Sequence, residues 1–227
     1  MLIVVGVLRW QAARADAARP ALGLFTTLPI LWAEAPDVAA QLSAEAPPHW
    51  ARAALERRYR VKPLDTLDDL RGLRLLVLAQ PRALSARENV ALDAWVQGGG
   101  RVLVFADPML TWESAFPIGD RRRPQDVVLL SPILARWGLE LTFDESQPGG
   151  LREIAGSAVP VNLAGQLRLR PGGVAQCRIG QGGLVAECHA GRGKATIVAD
   201  AALLEPVDDP APSALQLQAL LDRAFTG

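Results

Sequence analysis

The side chains able to do chemistry are few, and most of them fall where apolar runs end. Thr26 and Thr27 close one such run, Gln80 a second, Asp107 a third and Asp200 a fourth. In open parallel sheets, ligands gather beyond the carboxyl ends of the strands, where the strand order reverses, so these five residues outline a polar pocket. Arg121, Arg122 and Arg123 lie in a long connection and are expected to fold over it, offering guanidinium groups to an anion. A competing reading makes Asp107 and Asp200 turn caps and the three arginines a solvated charge run.

Other chemistries lack their parts. A cysteine or serine nucleophile needs a base in reach and a sharp strand-to-helix presentation. The histidines are His49, at the start of an expected helix, and His189, beside Cys188. Neighbours on a strand point to opposite faces, so Cys188 and His189 do not make a dyad. Two Cys and two His spaced in this way do not match zinc-ligand spacing. Neither a dinucleotide-binding glycine pattern nor a P-loop occurs, and Gly98-Gly99-Gly100 precedes a strand, where it ends a helix instead of cradling phosphate. No catalytic residue, cofactor or metal site is expected.

Residues 73–108 must position these groups. Residues 75–79 and 102–106 are continuous apolar runs of strand length, as in parallel strands buried on both faces. Between them Ser85 and Glu88 have capping-box spacing, Val90, Ala91, Ala94 and Trp95 share a face, and the glycine triplet closes the helix. Around this βαβ unit the pattern predicts a strand over 21–31, a helix over 49–58 opened by Pro48, and a strand over 59–64. Further on come a helix over 126–137 with Pro132 inside it, and a strand over 139–143. The connection 109–125 is long for a compact domain, which favours a functional or mobile role. Residues 195–200 (ATIVAD) read as a buried strand returning to the main sheet. Ser213 and Gln216 suggest a second capping box opening a C-terminal helix that packs through Leu217, Leu220, Leu221 and Phe225.

Residues 177–188 (CRIGQGGLVAEC) nearly specify a hairpin. A two-residue turn at Gly182-Gly183 pairs Ile179 with Ala186 and Arg178 with Glu187, and sets Cys177 opposite Cys188. The apolar residues then share one face while Arg178 and Glu187 meet on the wet one. Opposed Cα atoms lie about 4.5–5.5 Å apart, within disulfide reach. The cysteines are therefore expected to be adjacent, either as two buried thiols or as a bond that would argue for an oxidising compartment.

At 227 residues and 50% hydrophobic content the chain can bury a sizeable core. Its formal net charge is zero and it has a single tyrosine and five phenylalanines, which argues against nucleic acid as a partner. Residues 1–8 (MLIVVGVL) are apolar but short of the roughly 20 residues that span a bilayer. They read as the stub of a membrane anchor or as an arm lying on the domain, with a linker to residue 20. The expected architecture is one α/β domain over 21–227, with a hairpin-rich antiparallel element over 151–194.

Residues 92–108 (LDAWVQGGGRVLVFADP) resemble the GldG-type auxiliary components of ABC transporters, whose related domain also occurs in intraflagellar-transport proteins. Residues 191–204 (GRGKATIVADAALL) are similar to the same family's later glycine–basic–strand–aspartate segment, and residues 85–93 match its capped helix. The resemblance implies a class I amidotransferase-like, flavodoxin-like fold: a three-layer, mostly parallel sheet without the amidotransferase nucleophile. It also implies a periplasmic or cell-envelope location, membrane tethering and partnership with a transporter's permease and ATPase. Asp107 and Asp200 match family positions, with turn formation or binding as their implied role. Two other readings stand beside it: a hydrolase or amidotransferase-like enzyme centred on Asp107, and a cytoplasmic interaction module.

Overall fold

The computed structural model describes residues 19–32, 34, 48–153 and 159–226. The apolar stretch 1–8, its linker up to residue 18 and most of 33–48 lie outside the described residues. A seven-stranded sheet forms the centre. Its order is β2 (Arg60–Pro63), β1 (Ala21–Thr26), β3 (Leu75–Ala79), β4 (Arg101–Phe105), β11 (Gly193–Val198), β10 (Val185–Ala190) and β9 (Gln176–Gly180). The first five run parallel, β10 runs against them, and β9 pairs antiparallel with β10. The parallel portion has the doubly wound order 2-1-3-4-5, which reverses between β1 and β3.

Helices cover both faces. Cys188 faces α3 (Ser131–Trp137), where its partner Cys177 lies 3.2 Å from the Trp137 carbonyl. Glu187, one residue earlier and so on the other face, pairs with Arg223 of α4 (Ala211–Phe225). Helix α1 (Trp50–Glu56) joins α4 through the Tyr59–Phe225 ring contact and the Arg58–Asp222 pair at 2.8 Å. Helix α2 (Ala86–Gln97) joins α3, with Trp137 Nε1 donating to Asp93 at 3.0 Å. Strands shielded on both sides read as unbroken apolar runs, and in β4 Val102, Leu103, Val104 and Phe105 are all buried.

The expected helix over 86–97 forms with its capping box complete: Glu88 N donates to Ser85 Oγ and Ser85 N to the Glu88 carboxylate. Its buried face is different from the one the pattern suggested. Val90 is 70% exposed, whereas Glu88, Leu92, Asp93 and Val96 face inward. The reason is polar anchoring. Glu88 accepts from Leu67 N at 3.2 Å and pairs with Arg82, while Asp93 accepts from Trp137 and Arg136. These partners satisfy the buried acids and rotate the helix away from its simplest apolar stripe.

Other boundaries also shift. The first strand ends at Thr26, and the first helix starts at Trp50, with His49 as its N-cap. The helix expected over 126–137 begins at Ser131, so Pro132 falls in its first turn, and Val127 is exposed. The second capping box does not form. The last helix opens at Ala211, and Ser213 is buried within it.

The hairpin has the expected register, Cys177 facing Cys188 and Ile179 facing Ala186. Gly182 and Gly183 carry φ of 64° and 97°, the double positive-φ turn that matches strand twist. The cysteines are joined as a disulfide with Cα atoms 4.0 Å apart. Arg178 faces Glu187 in register, but the Glu187 carboxylate is taken by Lys194 at 2.9 Å and by Arg223, because α4 covers that face. The antiparallel element expected over 151–194 is divided. Strands β9 and β10 extend the central sheet, β8 (Gln166–Leu169) pairs with β5 (Leu139–Thr142), and β6 (Arg152–Glu153) with β7 (Pro160–Val161).

Ser85→Ala should cost about 1 kcal/mol, the usual value of an N-cap. Glu88→Ala should cost more, roughly 2–3 kcal/mol, because the buried Leu67 N–H loses its acceptor and Arg82 its partner. Urea unfolding midpoints at unchanged slope measure both, and equal costs would contradict the anchoring role of Glu88.

Candidate functional site at the strand ends

The carboxyl ends of β1, β3, β4 and β11 bring the singled-out residues to one end of the sheet, and a segment of the chain itself covers them. Thr26 Oγ1 donates to Ala79 O at 2.7 Å and Thr27 Oγ1 to Gln80 O at 2.5 Å, which fastens β1 to β3 across the switch point. Gln80 is fully buried and adopts φ 44°, a left-handed conformation uncommon outside glycine. Its amide nitrogen donates to Asp107 O at 3.0 Å and Gln125 O at 2.7 Å, while its amide oxygen accepts from Asp107 N at 2.9 Å. Gln125 N donates to Thr27 Oγ1 at 3.0 Å, and Val128 N to Asp107 O at 3.0 Å. The crevice where strand order reverses is thus occupied by residues 124–128.

Asp107 and Asp200 lie one strand apart and are both buried. Asp107 accepts from Met109 N at 2.8 Å and Ala201 N at 3.0 Å. Asp200 accepts from Ala202 N at 2.6 Å and Asn162 N at 3.0 Å. These bonds favour the carboxylates, but burial disfavours charge more strongly. Asp107 is pushed up to about 6, and Asp200, which also feels the charge of Asp107, to about 8. Glu205 adds negative charge beside both and accepts from Thr111 Oγ1 at 2.6 Å.

The arginine loop folds back on itself. Arg122 pairs with Asp120 at 2.7 Å and lies 4.1 Å over the Phe116 ring; Arg123 pairs with Asp126 and donates to Phe116 O. Arg121 is exposed on the loop. None of these partners is a strand-end acid, so the loop keeps its guanidinium groups away from the strand ends. His49 is half-buried against the Trp112 ring with centroids 5.5 Å apart. Its Nδ1 accepts from Ala51 N, and desolvation lowers it to about 4 although the Leu204 carbonyl works the other way. Cys188 is spent in the disulfide, and His189 is exposed. Among the described residues, no group of three or more His, Cys, Asp or Glu is placed to hold a metal ion.

Gln125, Asn162, Thr111 and Glu205 complete the strand-end network, and sequence reasoning missed all four. They lie in loops without periodicity, and only the fold brings them to the strand ends.

The strand order and the occupied crevice define a doubly wound α/β domain whose usual ligand position is filled by its own connection. Residues 19–147, more than half the chain, match the family described as an ABC-type uncharacterized transport system (ABC_transp_aux), and the chain belongs to that family. Membership supports an accessory, transport-associated role. No curated protein matches the chain. Among solved structures, the N-terminal domain of mmIFT52 is similar at 17% identity and TM-score 0.47, over 78% of this chain and 89% of that one. An exo-β-1,4-mannosidase, Op5Man5, from Opitutaceae bacterium strain TAV5 is similar at 14% identity and TM-score 0.45, over 96% of this chain. This chain spans 36% of the mannosidase's length. The cytoplasmic protein STM3548 from Salmonella typhimurium is similar at 12% identity and TM-score 0.45, over 88% of this chain and 97% of that one. No described helix is long and apolar enough to cross a membrane.

Gln80→Ala should leave the sheet folded but loosen the connection, so trypsin should cut at Arg121–Arg123 several-fold faster than in the parent chain. An unchanged cleavage rate would show that Gln80 does not hold the plug. The two raised aspartates bind protons more tightly folded than unfolded, so their stabilising contribution is full below pH 4 and is lost as pH rises through about 6 and then 8. His49, held neutral when folded, contributes oppositely but only between about pH 4 and 6.5. The unfolding free energy should therefore fall from pH 7 to 9, and Asp200→Asn should flatten that decline whatever it costs at pH 5.

Proposed function

We propose that the chain is a non-catalytic binding or scaffolding domain, an accessory to an ABC-type transport system in the cell envelope. The fold reads more finely as class I amidotransferase-like without the nucleophile, tethered to the inner membrane through its N-terminal segment and facing the periplasm. The observation that carries this reading is the plugged switch-point crevice in a member of a transport-associated family. With the crevice filled, recognition falls to the outer surface of the connection. That surface offers Met109, Ile118, Val127 and Leu129 as exposed apolar residues, interleaved with Arg121 and Arg122. Exposed apolar groups rimmed by charge suit protein contact better than small-ligand capture. The permease and ATPase of the transport system are the partners this reading names. Thr26, Thr27, Gln80, Asp107 and Asp200 serve it by holding the surface in place. The Cys177–Cys188 bond supports an oxidising compartment.

Two measurements test the proposal. Tagged chain, cross-linked in cells and recovered from the envelope fraction, should carry permease or ATPase subunits, and Ile118→Asp with Arg122→Ala should reduce their recovery several-fold. Thiol titration of denatured protein prepared without reductant should find no free thiol. Recovery from the cytosolic fraction with two free thiols would overturn the envelope reading. Turnover of a hydrolase substrate abolished by Asp107→Asn would overturn the non-catalytic one.

A further inference from the structure

The other end of the sheet carries a feature the strand-end reading leaves unused. At the amino ends of β3 and β4 lies an open hollow of about 630 Å³, lined by Arg71, Arg74, Arg101 and Arg192 together with Trp95 and Phe225. Among the described residues, no aspartate or glutamate lines it. The chain as a whole is neutral, so this is a local surplus and not a general basic field. Arg71 is matched by Asp69 at 2.8 Å. Arg101 donates to the Phe225 carbonyl. Arg192 donates to Gly98 O at 3.0 Å; a carbonyl is neutral, so that contact does not cancel the Arg192 charge, and a guanidinium has five N–H donors to share. Arg74 is exposed, and among the described residues no carboxylate pairs with it.

Helices α2 and α4 both end here, and the partial negative charge of a helix C-terminus attracts cations. Each terminus carries only about half a charge, so the two together leave the arginines in excess. One wall is fixed. The Trp95 ring is held by its Nε1 bond to Leu73 O and lies so close to Gly100 that a Cβ there would sit 2.4 Å from it. The Gly98, Gly99 and Gly100 amides are spent on Ala94, Val96 and Trp95 carbonyls. Recognition in the hollow therefore belongs to guanidinium groups and not to backbone N–H, unlike a glycine-rich phosphate loop.

We propose that this hollow binds a phosphate-bearing headgroup, with Arg74 and Arg192 as its principal contacts. Planar guanidinium groups suit paired phosphate oxygens, and the fixed indole excludes water from one side. The chain enters the fold at the same end: Pro20 precedes β1, and Leu22 of β1 lies in register with Leu75 of β3. The apolar residues 1–8 precede that entry point in the sequence. The phosphate can come from an anionic lipid at a surface reached by that segment, or from a soluble phosphate ester. Only the lipid source rests on the envelope reading.

The test uses the full chain and two probes. The first is sedimentation with vesicles of phosphatidylglycerol and phosphatidylcholine against vesicles of phosphatidylcholine alone. The second is titration with glycerol phosphate, followed by the amide resonances of Gly98, Gly99 and Gly100. Arg74→Ala with Arg192→Ala is compared with Arg168→Ala with Arg170→Ala, which removes the same charge from exposed positions elsewhere. If the source is lipid, binding to the phosphatidylglycerol vesicles should weaken about fivefold for each hollow arginine removed and change little in the control. If the source is soluble, glycerol phosphate should shift the glycine amides in the parent chain and not in the Arg74/Arg192 variant, with no vesicle preference. Equal losses in both double variants, or no response to either probe, would overturn the proposal. Cell fractionation tests the envelope reading separately, without touching these arginines.

Discussion

Polar groups sealed from water must find partners inside the fold, and at the carboxyl ends of this sheet one amide side chain supplies several of them. Gln80 bonds the backbone of Asp107 in both directions and also caps the Gln125 carbonyl. It thereby ties β3, the exit of β4 and the long connection into one unit. Its left-handed backbone is the cost of aiming the amide there, a strain of order 1–3 kcal/mol that the surrounding bonds offset. Asp107 and Asp200 extend the same solution to the exits of β4 and β11. The capacity for hydrogen bonding that such strand ends often turn toward a ligand is here turned toward the chain itself.

Much of the scaffold was legible because two-sided burial writes itself into composition. Leu75–Ala79 carries no polar residue, and neither does most of β4, so the parallel strands declared themselves. The hairpin was legible to the residue because a Gly-Gly turn fixes register and the cysteines fall opposite one another only in that register. The face of α2 was not. Its inward Asp93 is satisfied by Trp137 and Arg136, more than forty positions along the chain, and no local pattern announces a partner at that distance. The plug was invisible for the same reason. Gln125 looks like any loop glutamine until the fold sets it beside Thr27 and Gln80.

Charge is arranged along the strand axis. Asp107, Asp200 and Glu205 gather at the carboxyl ends, while Arg74, Arg101, Arg192 and Lys194 gather at the amino ends, where Lys194 also bonds the Arg223 carbonyl. Helices running antiparallel to the strands place their partly negative C-termini with the cations, which offsets part of that charge and stabilises it where it lies.

The bond between Cys177 and Cys188 sits on the outermost strand of the sheet. An unprotected last strand is the natural place for a foreign chain to pair, or for copies of the same protein to trade segments. Here the terminal ribbon is sewn to its inner neighbour, and β9 cannot be handed to another molecule without breaking a covalent link. The rim on that side is closed to exchange of β9 alone.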